Sequence, residues 1–321
     1  MVINMKTNNE IEITIPADVP KQMQNEYKKN YQKITQNTGR LMLFAGDQKI
    51  EHLNDDFYGK IKIDNKEMNI TLEDADPEHL FKIAAEAKIG VFATQLGLIA
   101  KYGNDNNYKN IPYLVKLNSK SHLVKTAQQE PRSKALWNIE QVIKFKKDSG
   151  LQILAVGYTV YLGSEFETEM LEEAAKIIFE AHQNGLITVL WMYPRGKAVT
   201  DEKNPHLIAG AAGTGACLGA DFVKVNYPKP KDGTAAEAFK EAILAAGNRT
   251  KIITAGGSSK GVKEFFQETW DQINISGCRG NATGRNIHQK SLKDAIKFTN
   301  ALAAITLDAK SVDEAMKIYE K

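Results

Sequence analysis

The chain has only two cysteines in 321 residues, Cys217 and Cys278. Neither sits in a C-x-x-C pair. No disulfide framework and no cysteine-built zinc module follows, and a reducing, cytoplasmic compartment is expected. Histidine is sparse as well. The six are scattered, and none makes an H-x-x-x-H pair or a His/Cys pair with ligand spacing, so no metal site is expected. The net charge is only +3, with basic and acidic residues mixed, which leaves no footprint for nucleic acid. No apolar run approaches the roughly 20 residues of a membrane span, so no membrane partner is expected. Residues 1–12 are polar and lack the apolar centre of a signal peptide. No G-x-G-x-x-G follows the first strand candidate, which argues against an open dinucleotide-binding sheet. There is no low-complexity segment and no sign of a second domain.

What the chain does have is an alternation of apolar runs and helical segments. Buried parallel strands read as continuous apolar runs. Eight candidates occur, at residues 41–45, 90–94, 113–118, 153–157, 188–193, 222–225, 251–255 and, more weakly, 280–283. Helical patterns precede most of them, at 77–88, 137–147, 167–183, 205–218, 235–246 and 262–272. Eight such units predict a TIM (β/α)8 barrel, assigned to residues 39–321. Residues 1–38 are read as an N-terminal extension capping one end, with a short strand at 11–15 and a polar helix at 20–34. Helices at 291–307 and 311–319 close the chain, and Ser311 and Glu314 have capping-box spacing.

The segment Phe222-Val223-Lys224-Val225 is the unusual one. Val223 and Val225 share one face, and Phe222 and Lys224 the other. Burial penalises the charged form of a lysine and lowers its pKa. A neutral lysine attacks carbonyls to form a Schiff base. The alternative is a lysine that snorkels out or pairs with Asp221. TIM-barrel sites lie at the C-terminal ends of the strands. Here those ends carry Asp47, Lys116, Trp191, Tyr193, Lys224, the glycines after Ala255, and Gly284-Arg285.

Each has two readings. Lys116 is either a rival nucleophile or a second cation that lowers the pKa of Lys224. Tyr193 shares a face with Trp191 and can move protons beside the lysine, or is a core aromatic. Asp47 holds substrate hydroxyls or orients the lysine, or else caps a helix or pairs with Lys116 or Lys224. His52 is the one histidine near a predicted strand end, a substrate contact or a plain loop residue. Arg195 follows Tyr193 out of its strand and is assigned to substrate. Gly256-Gly257-Ser258 and Gly284-Arg285 fall in the loops that often bind phosphate, where glycine admits N–H groups to an anion and arginine adds a bidentate charge. Otherwise they are two tight turns.

Together these motifs resemble a known family, the archaeal-type class I fructose-bisphosphate aldolases (the DhnA-type, DeoC/LacD-like set). The matching segments are Asp47 with Ile50-Glu51-His52, Tyr113-Leu114-Val115-Lys116-Leu117-Asn118, Val156-Gly157-Tyr158-Thr159-Val160-Tyr161 with Gly163-Ser164, Trp191-Met192-Tyr193-Pro194-Arg195-Gly196, Gly219-Ala220-Asp221-Phe222-Val223-Lys224, Gly256-Gly257 and Gly284-Arg285-Asn286. The resemblance runs from about residue 41 to residue 307. It implies a TIM barrel that reversibly cleaves fructose 1,6-bisphosphate to dihydroxyacetone phosphate and glyceraldehyde 3-phosphate, through a covalent imine and without a further cofactor. It implies Lys224 as the Schiff-base lysine, Tyr193 as general acid/base, Trp191 and Asp47 as substrate contacts, and Gly256, Gly257, Gly284 and Arg285 as the phosphate site. Family members are commonly higher oligomers, so a homo-oligomer is expected.

The sequence also departs from the family pattern. Gln48-Lys49 stands where members usually carry His-Gly. The loop 53–76 is long, with 60–72 resembling an insertion, and 119–137 is long too. Both are expected over the site. The 2-amino-3,7-dideoxy-D-threo-hept-6-ulosonate synthases share the barrel, the lysine and a similar Trp-Met-Tyr-Pro-Arg-Gly strand, and run a transaldolase-type transfer, which is the alternative activity. The Ile50-Glu51-His52 and Tyr158–Tyr161 segments look more like the aldolases. A phosphate-binding barrel that forms no imine, and a silent binding scaffold, are the competing classes.

Overall fold

The computed structural model describes residues 11–52 and 55–321. Residues 1–10 of the expected extension and 53–54 of the long first loop lie outside the described residues. In chain order the strands are β1 (Leu41–Ala45), β2 (Gly59–Ile63), β3 (Lys66–Ile70), β4 (Val91–Thr94), β5 (Tyr113–Lys116), β6 (Ile153–Leu162), β7 (Ile187–Pro194), β8 (Phe222–Val225), β9 (Lys251–Ala255) and β10 (Gly280–Thr283). Eight of them close into a parallel barrel, β1-β10-β9-β8-β7-β6-β5-β4. These are the eight strands that the sequence predicts, and flanking helices complete a TIM barrel.

Period-two alternation sorts the strand residues. Leu43, Ala93, Leu114, Val189, Trp191, Phe222 and Ile253 point inward and pack together. Met42, Phe44, Phe92, Val115, Val223 and Val225 point outward against the helices. Lys224 therefore lies on the inward face with Phe222, as the alternation requires.

The helix Gln24–Thr35 closes the N-terminal end of the barrel. Its Tyr27, Tyr31 and Ile34 join the inner cluster, and Tyr31 stacks on Phe222 at 5.6 Å. The predicted strand at 11–15 does not form. That segment is extended without ladder partners, because a closed barrel offers no free edge. Its alternation is nonetheless used: Ile11, Ile13 and Ile15 all pack on the inner cluster.

Asp221 belongs to this closed end. It accepts hydrogen bonds from the Tyr27 hydroxyl, from the Thr188 amide (2.8 Å) and hydroxyl (3.0 Å), and faces His182 Nε2 at 3.2 Å. It sits three residues before Lys224, about 10 Å down the strand. The pairing of Lys224 with Asp221 is thus corrected: the carboxylate is committed elsewhere.

The expected insertion at 60–72 is a two-stranded antiparallel ribbon, β2-β3, followed by a turn of 3-10 helix at Leu72–Ala75. Asp64 and Asn65 form its turn with φ of +50° and +61°, the paired left-handed geometry of a two-residue hairpin. The ribbon tip reaches the rim, where a Cβ on Gly261 would lie 2.8 Å from Asp64 Oδ2.

His182 bridges Asp221 and Asp18, with Nδ1 2.9 Å from Asp18. Burial opposes its charge, but the two carboxylates outweigh that and raise its pKa from 6.5 to about 9. A raised folded-state pKa stabilises fully below 6.5, and that contribution disappears as pH rises through about 9. The gap in urea midpoint between wild type and His182→Asn is therefore expected to be widest near pH 6 and to narrow by pH 10. A constant gap would show that the bridge carries no proton.

Candidate active site

Five of the residues singled out in the sequence meet at the C-terminal mouth of the barrel. β7 and β8 pair with Trp191 opposite Lys224, and β5 and β6 pair with Lys116 opposite Gly157. The Trp191 ring is close to both amines, 5.0 Å from Lys224 Nζ and 5.1 Å from Lys116 Nζ. Its indole Nε1 is buried without a partner among the described residues.

The two lysines are not equivalent. Lys116 Nζ donates to the Asn118 carbonyl (2.9 Å) and to its side-chain oxygen (3.3 Å), and lies 4.0 Å from both Asp47 and Glu51. Its amine is committed to these acceptors. Lys224 is 4% exposed, and among the described residues no hydrogen bond holds its amine. Burial lowers its pKa from 10.5 to about 8; Asp47 and Glu51 oppose the shift, and Lys116 and Arg285 assist it. Of the two candidate nucleophiles, Lys224 is the one arranged to lose its proton near neutrality.

Asp47 is 2% exposed, and its Oδ1 has no partner among the described residues. It precedes the short helix Gln48–Glu51 but makes no side-chain cap, so the helix-cap reading is not realised. Gln95 Nε2 holds its backbone carbonyl at 3.0 Å. Burial pushes the carboxyl pKa up, with the Lys224 and Lys116 cations pulling the other way. Tyr193 is pushed up as well, by burial first and then by Asp47 and Glu51, which keeps the phenol protonated.

The phosphate candidates lie on the neighbouring side. Gly256, Gly257, Ser258, Arg195, Lys260 and Arg285 line a cavity of about 470 Å³. Gly257 has φ +66° with open space where a side chain would stand. Gly284 has another constraint: a Cβ there would run into the Gln48 amide and the Ala45 carbonyl oxygen. Arg285 is 3.6 Å from Asp56, ahead of the ribbon. Arg195 forms a two-point pair with Glu202, both contacts at 2.8 Å, while its guanidinium lies 5.4 Å from the Tyr193 ring. His52 does not join the lysine cluster; its Nδ1 is 3.0 Å from Asp56.

Several side chains escaped notice as site residues. Tyr161 sits opposite Tyr193 across β6-β7 and is buried beside Arg195. Glu51 reaches Lys116 and accepts from Ser119 Oγ at 3.1 Å. Asn286 donates to the Gly256 and Ser258 carbonyls (both 3.1 Å) and accepts from the Lys260 amide (2.9 Å), stapling the loop after β9. The signal for Tyr161 was the same period-two spacing, had the fourth strand been extended beyond residue 157. Among the described residues, no three His, Cys, Asp or Glu side chains converge as a metal site, and no helix is long and apolar enough to cross a membrane.

Residues 41–290 match the model of the DeoC/LacD family aldolases. The chain belongs to this family. A relative from Methanocaldococcus jannaschii, named fructose-bisphosphate aldolase/6-deoxy-5-ketofructose 1-phosphate synthase, is 59% identical over 96% of this chain and 94% of its own. The structure of a fructose-bisphosphate aldolase from Slackia heliotrinireducens superposes with a TM-score of 0.90 at 53% identity, covering 96% of this chain and 94% of that one. A third, an archaeal fructose-1,6-bisphosphate aldolase with its catalytic lysine covalently bound to the carbinolamine intermediate, has a TM-score of 0.72 at 30% identity and covers 88% and 99%. The family fold thus coincides with the barrel described above.

The position of Trp191 depends on Gly157, whose Cβ would meet the indole Cη2 and Leu114 Cδ2, each at 2.9 Å. Gly157→Ala is expected to cost about 1–3 kcal/mol by overpacking and to slow imine formation, read by urea unfolding and by borohydride trapping. Unchanged values in both would mean that Trp191 is free to move. For the wild type, the trapping rate is expected to rise with pH up to about 8 and then level off, because neutral amine is the reacting form. A rate that is flat from pH 6 to 9 would contradict the lowered pKa.

Proposed function

We infer that this chain is a class I aldolase that reversibly cleaves fructose 1,6-bisphosphate to dihydroxyacetone phosphate and glyceraldehyde 3-phosphate. The observation that carries the reading is the buried Lys224 amine, without a hydrogen bond among the described residues, with its pKa lowered to about 8. The relatives named for this activity support it.

Neutral Lys224 adds to the C2 carbonyl, and water leaves to give an iminium. The iminium accepts the electron pair of the C3–C4 bond as that bond breaks. The C4 hydroxyl proton is lost, glyceraldehyde 3-phosphate departs, and an enamine of dihydroxyacetone phosphate remains. Protonation at C3 and hydrolysis of the imine release the second product and restore the amine. Tyr193, held protonated and facing Asp47, serves as the proton donor and acceptor. Asp47, with its free Oδ1, takes a substrate hydroxyl. Trp191 offers its unpartnered Nε1 to the same chain of hydroxyls. The ketose phosphate enters the cavity of Gly256, Gly257, Ser258 and Arg285 and fixes the carbonyl against Lys224. No cofactor is needed, since the iminium is the electron sink.

A second reading has one specific support. The M. jannaschii relative is also named for 6-deoxy-5-ketofructose 1-phosphate synthesis. The same enamine captured by a different aldehyde gives a transfer reaction without any change in the lysine chemistry.

Borohydride reduction in the presence of dihydroxyacetone phosphate, followed by intact mass and peptide mapping, is expected to place one adduct on Lys224. Lys224→Met is expected to abolish the adduct. An adduct on Lys116 would keep the enzyme class and move the site. Tyr193→Phe is expected to slow turnover by about 10²–10⁴ while leaving the adduct intact. Unchanged turnover would reduce the tyrosine to packing.

A further inference from the structure

The cavity lined by the phosphate loops lies at β9 and β10, Lys224 is on β8 and Tyr193 on β7. A ketose anchored by its C1 phosphate therefore extends away from β9, across the mouth, toward the loops after β1 and β5 and the end of β6. Beyond Asp47, Glu51 and Lys116, that side carries groups with no part in the imine chemistry. Tyr161, directly opposite Tyr193 in register, brings its hydroxyl 3.4 Å from His122 Nε2, and the two rings meet edge to face at 6.2 Å. The His52 ring is 6.0 Å from that of His122. His122 holds φ +52°, a conformation that a non-glycine residue adopts at a cost and that clusters at functional sites. Lys120 lies two residues earlier, and Arg195 faces Tyr161 at 5.7 Å.

Cations face the His122 ring at this end. Burial, Lys120, Arg195 and His52 together push the His122 pKa down to about 3. The nearby carboxylates are engaged: Glu51 by Ser119 and Lys116, Asp56 by His52 and Arg285, Glu202 by Arg195. What is left is a neutral imidazole with a lysine beside it, at the place where the aldehyde half of the substrate ends. Both residues belong to the segment 119–137 that follows β5.

We propose that His122, with Lys120, binds the anionic group at the aldehyde end of the substrate and so selects phosphorylated over unphosphorylated aldehydes. The proposal rests on the aldolase reading. It is tested with His122→Asn and, separately, Lys120→Met, by the ratio of kcat/KM for fructose 1,6-bisphosphate over fructose 1-phosphate, which lacks the distal phosphate. Either variant is expected to lower that ratio at least about tenfold, which a purely structural role would not do. An unmoved ratio, or a parallel loss on both substrates in both variants, overturns the proposal. Borohydride trapping with dihydroxyacetone phosphate separates the two levels. No adduct in the wild type overturns the aldolase reading and this assignment with it. A wild-type adduct with an unmoved ratio overturns the assignment alone.

Discussion

The structure turns on one desolvated amine. Lys224 sits where water cannot solvate an ammonium fully, and among the described residues no anion forms an ion pair with it. Trp191 pulls the other way, since an aromatic face stabilises a cation, and so do Asp47 and Glu51. The result is an amine that changes charge close to neutrality rather than one fixed in either form. Lys116 makes this possible. Hydrogen-bonded to Asn118 and near two carboxylates, it supplies the local positive charge that those carboxylates face. Removing one lysine from the pair therefore changes the chemistry of the other.

Much of this was legible because the strands are buried on both faces. Continuous apolar runs such as Leu41–Ala45 mark parallel strands when helices separate them. Once the barrel is accepted, the inward position of Lys224 follows from Phe222 by alternation. The role of Asp221 did not follow. A carboxylate three residues from a lysine looks like a partner in one dimension, yet the strand rise puts it at the far end, beside Tyr27 and His182. The contacts that reassign it span as many as 194 residues of sequence, and no local pattern records them. Tyr161 was hidden by a boundary: β6 runs to Leu162, past the point where its apolar run gives way to polar and aromatic residues.

The ribbon β2-β3 was missed for a different reason. Its residues, Gly59–Ile63 and Lys66–Ile70, alternate in the manner of a strand, but the alternating set includes lysines and a glutamate rather than a clear apolar face. Only Ile70 is buried. The sequence signal that was present is the Asp64-Asn65 pair, which is chemistry for a tight turn and not for a disordered loop. An isolated two-stranded hairpin is marginal in water, so its docking at Gly261 and the packing of Ile70 decide whether it forms at all.

Among the described residues the same ribbon stands alone, its two strands paired with each other. Each outer edge presents backbone donors and acceptors that the barrel strands have all spent on neighbours. Such edges invite strand addition from another chain. Here Lys60, Lys62 and Lys66 repeat along it with a single Glu67 between the strands, and most of the ribbon is exposed. A second copy approaching edge to edge would bring like charges together. The ribbon thus carries both an open edge and the like charges that oppose edge-to-edge pairing of two copies.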